Sequence, residues 1–223
     1  MSRAEGVAQN TENGPQGLRL GIEKRLRRKG FRLVAGVDEV GRGPLAGPVT
    51  AAAVILDSKR IPDGLADSKA LAPEIRAALY REIVIYAAAV GVGFATPQEI
   101  DGINIRQATF LAMHRALSAL PFAPDFCLVD GVDLPRHWTG AGEAIIKGDA
   151  TCASIAAASI VAKVMRDRLM VRQHRHDPRY GFDQHKGYAT VGHRDALAKH
   201  GPSPFHRRSF APCGGVDRVD VKV

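Results

Sequence analysis

The stretch Phe31-Arg-Leu-Val-Ala-Gly-Val-Asp-Glu-Val-Gly-Arg-Gly-Pro-Leu-Ala-Gly-Pro-Val-Thr-Ala-Ala-Ala-Val-Ile-Leu56 is where the fold becomes readable. Residues 31–37 form an apolar run of strand type that leads into Asp38-Glu39. Gly41, Gly43, Pro44, Gly47 and Pro48 then punctuate the chain, and residues 49–56 are a second apolar run, so the segment reads strand–turn–strand. Gly41-x-Gly43 after a strand also opens like a dinucleotide-binding fingerprint, and alanine at position 46 is tolerated there. That fingerprint needs a helix to start at the turn, whereas Pro44 and Pro48 flank Gly47 and a β-like run follows. The turn is therefore left to present its backbone N–H groups, or Arg42, to something other than a dinucleotide.

Working outward, the patterning predicts a helix over 18–29 stopped by Gly30, and another over 73–89 opening with Pro73 and Glu74. Next come a strand over 90–95, a helix over 104–120, a buried strand over 126–129 ending at Asp130, and a brief strand over 144–146. A long Ala/Ile/Val helix over 150–173 turns basic along its length, and after Pro178 the chain is loop-rich with one helix near 193–199. No internal repeat is present. The order predicts an α/β fold, a mixed sheet covered by helices, with a basic helical appendage from about residue 170.

The chain has 223 residues, 45% hydrophobic and 24% charged, the composition of an ordinary globular protein able to bury a large core without staples. No run approaches the ~18 apolar residues that span a bilayer, and residues 1–18 lack the apolar segment of a secretory signal. Three cysteines with no Cys-x-x-Cys pair argue against a zinc site or a disulfide framework and for a reducing cytoplasm. Nothing in the sequence demands more than a monomer. Lys and Arg number 31 against 23 acids, a net charge of +8, and the excess is local. Residues 160–210 hold eleven Lys/Arg and four Asp, 11 − 4 = +7, with six of the eight histidines. A second basic cluster runs Arg25, Arg27, Arg28, Lys29, Arg32. Such clusters suit polyanions through counterion release, and equally an ordinary solvated surface.

The carboxylates carry more information. Asp38-Glu39 end one predicted strand, Asp130 ends another, and Asp149 precedes a helix. In an open α/β sheet, strand carboxyl ends and nearby helix starts face one crevice. Carboxylates that meet there repel, and a pair of hard divalent cations, Mg²⁺ or Mn²⁺, would relieve the repulsion and could clamp a phosphodiester. Each residue also has a plain structural use: Asp149 as a cap for a helix beginning at Ala150, Asp130-Gly131 as a turn. Adjacent Asp38 and Glu39 point to opposite faces of a strand, so both reach one site only if the strand bends at Glu39. Asp167 lies four residues after Lys163 on one helix, the spacing of an ion pair. Tyr180-Gly-Phe-Asp-Gln-His-Lys-Gly-Tyr188 and His206-Arg-Arg-Ser209 mix aromatics with cations, which suits stacking on sugars beside phosphates or a tyrosine packed under a basic surface. His185 and His206 show no metal-ligand spacing.

At these residues the chain resembles bacterial ribonuclease HII, a type 2 ribonuclease H. The similarity rests on residues 34–48 as quoted, Asp67-Ser-Lys69, Ile103-Asn104, Val129-Asp-Gly131, Lys147-Gly-Asp149 with residues 155–160 and 162–164, His185-Lys-Gly-Tyr188, Gly201-Pro202 and His206-Arg-Arg-Ser-Phe210. The resemblance implies a ribonuclease H-like mixed sheet with flanking helices and a C-terminal helical segment. It places the catalytic domain at 19–210 between tails at 1–18 and 211–223. It also implies that Asp38, Glu39, Asp130 and Asp149 form the catalytic, metal-binding set for Mg²⁺ or Mn²⁺. Gly41, Arg42 and Gly43 correspond to the loop that senses a ribose 2′-hydroxyl, Tyr188 to the tyrosine on the sugar after a ribonucleotide, and Lys69 to a phosphate-contacting lysine. Val40 stands where many relatives have alanine.

The expected reaction is cleavage of the RNA strand of RNA·DNA hybrids and of DNA duplexes containing ribonucleotides, leaving 3′-hydroxyl and 5′-phosphate ends. Two other readings fit the residues alone: a non-catalytic nucleic-acid-binding protein whose acids are caps and turns, and a metal-dependent DNA nuclease or integrase-like phosphotransferase.

Overall fold

The computed structural model describes residues 21–135 and 138–214; the predicted tail at 1–18, the part of the predicted tail 211–223 beyond residue 214, and the start of the first helix at 18–20 lie outside them. In chain order the elements are α1 (Gly21–Arg28), β1 (Val34–Val40), β2 (Val49–Ile55), α2 (Pro73–Tyr86), β3 (Ala89–Ala95), α3 (Pro97–Ser118), β4 (Phe126–Asp130), β5 (Gly142–Ile145), α4 (Ala153–His176), α5 (Phe182–His185) and α6 (Val191–His200). Short 3₁₀ turns occupy Gly148–Ala150 and Pro178–Tyr180. The strands form one mixed sheet in the order β3-β2-β1-β4-β5. β1, β2 and β3 are antiparallel neighbours, while β4 runs parallel to β1 and β5 parallel to β4. Thus β1, β4 and β5 end at the same edge, as the mixed α/β reading expects.

Period-two alternation sorts β1 and β4 between two cores. Ala35, Val37, Cys127 and Val129 face α3, with Ala112, Met113 and Ala116 on the helix side. Val34 and Leu128 face the opposite side, against Ile155 of α4. On that second face α2, through Leu79 and Ile83, packs with Ala153, Ala156, Ala157 and Ile160 of α4 over Ala52 and Val54. Small residues make this contact close. A methyl at Gly36 would overlap the backbone of Ser154 and Ile155, and one at Gly93 the Ala112 carbonyl of α3. Among the described residues no helix is long and apolar enough to cross a membrane.

Two helix starts differ from the sequence reading for identifiable reasons. The helix expected from residue 104 begins at Pro97, where Thr96 and Glu99 form a reciprocal capping box, Glu99 N–H to Thr96 Oγ1 at 3.2 Å and Thr96 N–H to Glu99 Oε2 at 2.8 Å. Asn104 interrupts it with φ 66°, and its Oδ1 accepts from the N–H groups of Arg106 and Gln107 at 3.0 and 3.1 Å. Residue 104 is thus a mid-helix restart rather than the beginning. The helix expected from Ala150 starts at Ala153, and Asp149 does not cap it; its N-cap, Cys152, makes no side-chain cap bond. That task falls to Glu23 of α1, whose buried Oε1 accepts from the N–H and the hydroxyl of Ser154, both at 3.0 Å. A carboxylate at a helix N-terminus also opposes the positive end of the macrodipole.

Gly36→Ala tests the close seat of α4. Overpacking of this kind costs about 3 kcal/mol, so melting should fall by about 6–12 °C at ~2–4 °C per kcal/mol. An unchanged melting temperature would show that the helix can back away from β1 without cost.

Candidate active site

Parallel pairing brings the acids together. Val37 of β1 lies opposite Val129 of β4, so Asp38 and Asp130 follow at adjoining strand ends, and by parity both belong to the α4 face. Beyond β5 the chain turns at Lys147, in the left-handed region with φ 56°, into the 3₁₀ turn that carries Asp149. The Gly148 N–H donates to Asp130 Oδ1 at 2.7 Å, which ties that turn to the end of β4. Oxygen atoms of Asp38, Asp130 and Asp149 consequently lie within 4.8 Å of one another. Asp38 and Asp149 are buried, 4% and 9% exposed, and Asp130 is half-buried.

Among the described residues no cation forms an ion pair with these three acids, and Lys69 acts on them only through its charge. Burial first, then the charges of Glu39 and Asp130, raise the Asp38 pKa well above the usual aspartate range, against a hydrogen bond from the Glu39 N–H. Asp149 is raised by burial and by Asp130 and Asp67, opposed by Lys69. Burial works against the Lys69 ammonium, yet Asp67, Asp38, Asp149 and Asp130 outweigh it and raise its pKa. Three converging carboxyl groups with hard oxygen donors are the set a Mg²⁺ or Mn²⁺ ion prefers. The donor chemistry of the site therefore fits the metal that the sequence implied.

Glu39 stands beside this cluster rather than in it. β1 does not bend there: Asp38, Glu39 and Val40 pair in sequence with Ala52, Ala51 and Thr50. Glu39 therefore faces the α3 side, where its Oε1 meets Arg42 Nη1 at 3.2 Å. It lines a cavity of about 170 Å³ shared with Arg42, Arg106, Asp130 and Asp133. Burial raises the Glu39 pKa, and Arg42 works in the opposite direction. The bend that would have put four acids on one face is absent, so three are together and the fourth is one strand face away.

The glycine turn is held from beneath by two arginines of 0% exposure, Arg166 and Arg207. Arg207 donates to the carbonyls of Gly47 at 2.9 Å, Arg42 at 2.8 Å and Gly41. Arg166 donates to Pro48 at 3.0 Å, Ala46 at 3.1 Å and Lys186 at 2.9 Å. Burial, then the charge of Arg166, pushes the Arg207 pKa down to about 9. With its carbonyls drawn inward, the turn leaves the N–H groups of Arg42 and Gly43 without an acceptor among the described residues. Gly43 has open space where a side chain would be. Sequence reading placed Arg207 in a surface basic motif and passed over Arg166; both are corrected to buried loop supports. The available signal was spacing, since Ala162, Arg166 and Met170 form one buried row of α4.

Three of the C-terminal histidines, His185, His193 and His206, prove to be packing groups. Carbonyl acceptors fix their tautomers: Nδ1 of His193 donates to the Tyr188 carbonyl at 2.9 Å, and Nε2 of His185 donates to the Tyr180 carbonyl at 2.6 Å. Nε2 of His206 then donates to Nε2 of His193 at 3.0 Å, while its Nδ1 accepts the Ser203 N–H at 3.0 Å. Each ring is neutral and satisfied, and burial, helped by His193, pushes the His206 pKa down to about 4. Tyr180 is the buried tyrosine under the basic surface, whereas Tyr188 remains 43% exposed at the rim. Lys163 and Asp167 form the predicted pair at 2.8 Å.

Comparison with known proteins adds an independent line. A family profile described as Ribonuclease HII matches residues 35–213. The chain is 59% identical over 179 residues to the Ribonuclease HII of Rhizorhabdus wittichii, covering 80% of this chain and 88% of that protein. It is 54% identical over 191 residues to the Ribonuclease HII of Paracoccus denitrificans, covering 86% and 90%. Among solved structures, the ribonuclease H2 from Pyrococcus horikoshii superposes with a TM-score of 0.68 at 27% identity, over 81% of this chain and 94% of that one.

Two outcomes follow from this geometry. Folding raises the pKa of Asp38 and Asp149, so their protonated forms favour the folded state, and that stability is lost as pH rises through the folded values. Metal-free protein should accordingly lose melting temperature relative to Asp38→Asn as pH rises above the ordinary aspartate pKa of about 4, a difference in which the opposite contribution of the buried neutral histidines cancels. A saturating divalent ion at about 100 times its Kd should add about 2.7 kcal/mol, or about 5–10 °C. Asp38→Asn should raise the metal-free melting temperature and abolish the metal-induced rise, as read by calorimetry with Mg²⁺, Mn²⁺ or EDTA. Separately, Arg207→Met strands three carbonyls and should cost about 3 kcal/mol or more, with faster hydrogen exchange at residues 41–47 than in the sheet; uniform exchange would deny the clamp.

Proposed function

The chain belongs to the ribonuclease HII family and is a ribonuclease H enzyme, an endoribonuclease of RNA·DNA hybrids; on that premise we propose that it also nicks duplex DNA on the 5′ side of embedded ribonucleotides, by two-metal-ion hydrolysis leaving 3′-hydroxyl and 5′-phosphate ends. The observation that carries this reading is the meeting of Asp38, Asp130 and Asp149 within 4.8 Å at the shared edge of three parallel strands. That edge lies next to a turn in which the N–H groups of Arg42 and Gly43 have no acceptor among the described residues.

Asp38, Asp130, Asp149 and, from its neighbouring face, Glu39 would hold two Mg²⁺ or Mn²⁺ ions, which supply an activated water and stabilise the leaving 3′-oxygen. The protein's part is positioning and charge. Asp130, fixed by the Gly148 N–H, and the buried Asp38 are pre-set and need no rearrangement to converge. Lys69, raised by the same carboxylates, brings a lasting positive charge to the rim for a substrate phosphate. The N–H groups of the Gly41-Arg42-Gly43 turn read the ribose 2′-hydroxyl, and the exposed Tyr188 packs on the following sugar.

Magnitudes divide that labour. One hydrogen bond to the hydroxyl is worth about 1–3 kcal/mol, roughly 5- to 150-fold. Stacking on an aromatic ring adds about 1–3 kcal/mol. Neither contact alone separates one ribonucleotide from a surrounding excess of DNA, so the two act together with placement of the reacting phosphate. We assign the enzyme to the cytoplasm, in keeping with three buried, unpaired cysteines.

The test is a labelled DNA duplex with one ribonucleotide, beside an all-DNA control and a long hybrid, each with Mg²⁺, Mn²⁺ or EDTA. A metal-dependent nick 5′ of the ribonucleotide, absent from the control, is expected. Equal cleavage of the all-DNA duplex would overturn the hydroxyl requirement, and cleavage of the long hybrid alone would remove the junction role of Tyr188.

A further inference from the structure

On the flank away from α3, helices α2 and α4 enclose an open groove of about 760 Å³. Its floor is apolar, from Pro73, Ala77, Val164 and Val171, and its walls carry Arg76, Arg168, Arg172, Arg175 and Lys186. The one carboxylate in the lining, Asp167, is already neutralised by Lys163 at 2.8 Å. Arg76 is engaged with the carbonyls of Ser68 and Leu71 at 2.7 and 2.6 Å, and Arg168 lies 4.5 Å over the Tyr80 ring. Arg172 and Arg175 are exposed, and among the described residues they form no ion pair and no side-chain hydrogen bond.

The groove is attached to the active site at both walls. On the α2 side, Arg76 grips the two carbonyls that flank Lys69. Opposite it, Lys186 lies two residues from Tyr188, and its carbonyl is held by Arg166 of α4. A strand passing between Lys69 and Tyr188 is thereby led onto the α4 face that bears Arg168, Arg172 and Arg175. From Arg168 to Arg175 the helix rises about 10 Å at ~1.5 Å per residue. That is the axial length of about three nucleotides of one strand at ~3.4 Å each.

We propose that this groove is a second nucleic-acid site, which takes the phosphodiester backbone of the substrate beyond the cleavage position, with Arg172 and Arg175 on successive phosphates. The proposal rests on the reading of Lys69 and Tyr188 given above and extends it to residues that touch no reacting atom. Alkyl stems of the arginines cover the apolar floor, so the guanidinium heads stand at the rim where a backbone passes. An acidic helical peptide is the competing occupant. A peptide would need no connection to the Lys69 and Tyr188 loops, and the groove has both.

The experiment is the double variant Arg172→Gln/Arg175→Gln in the full chain, with its melting temperature measured as a control on folding. Binding to a labelled 24-base-pair RNA·DNA hybrid is followed without divalent metal at several salt concentrations, beside KM for the cleaved hybrid and binding of a poly-glutamate peptide. Each phosphate contact contributes ~0.9 to the slope of log Kd against log salt, so the slope should fall by about two. Kd and KM should each rise roughly tenfold, about threefold per exposed charge. Unchanged slope and KM in a folded variant, with the wild type still cleaving, would overturn the groove and leave the function standing. Loss of poly-glutamate binding alone would overturn it in favour of a protein partner. Failure of the wild type to cleave the hybrid would instead strike the function itself.

Discussion

Helix α4 can lie against β1 only because residue 36 has no side chain, and most of the working surface follows from that contact. The N-terminal half of α4 is buried from Ala153 to Ala162 and so is fixed on all sides. From this fixed rod, Ser159 donates to the Ser68 hydroxyl at 2.7 Å and sets the loop that carries Lys69. About two turns further on, Arg166 holds the glycine turn and the carbonyl of Lys186. The basic half then projects past the sheet with a cationic face. One close approach between a strand and a helix thus places the acid cluster, the glycine turn and the cationic flank relative to one another.

Charge is distributed against the usual expectation for an interior. Two guanidinium groups are fully buried, and each is met by backbone carbonyls instead of a carboxylate. Meanwhile Asp38, Asp130 and Asp149 lie together, and among the described residues none of them is in an ion pair. Pairing arginines with aspartates would have relieved both costs and destroyed the site. Carbonyl dipoles offer the guanidinium a full set of acceptors while leaving the carboxylates to an external ion. The same arrangement commits carbonyls of the turn below, while the N–H groups of Arg42 and Gly43 have no acceptor among the described residues.

The C-terminal segment shows how a basic stretch can be mostly architecture. Of the six histidines in residues 160–210, His185, His193 and His206 form one hydrogen-bonded, stacked cluster around Phe182 and Tyr180. Its product is the firm backbone on which Tyr188 stands, through the bonds from His193 and Thr190 to its carbonyl. Local charge density had no means of separating these rings, or Arg207 beside them, from Arg172 and Arg175 at the surface.

The sequence by itself determined the strand–turn–strand opening, the mixed sheet, the four acids near strand ends, the Lys163–Asp167 pair and the family. These follow from local alternation, turn residues and motif spacing, which a linear chain displays in full. Tertiary structure alone decided which acids converge. Parallel register set Asp38 beside Asp130, the left-handed turn at Lys147 brought Asp149 in, and unbroken pairing with β2 turned Glu39 to the other face. It alone also put Arg166 and Arg207 beneath the glycine turn and Glu23 at the start of α4, contacts spanning 118 to 166 residues. Spacing within a segment has no bearing on such partners, because they are chosen by packing between elements far apart in the chain.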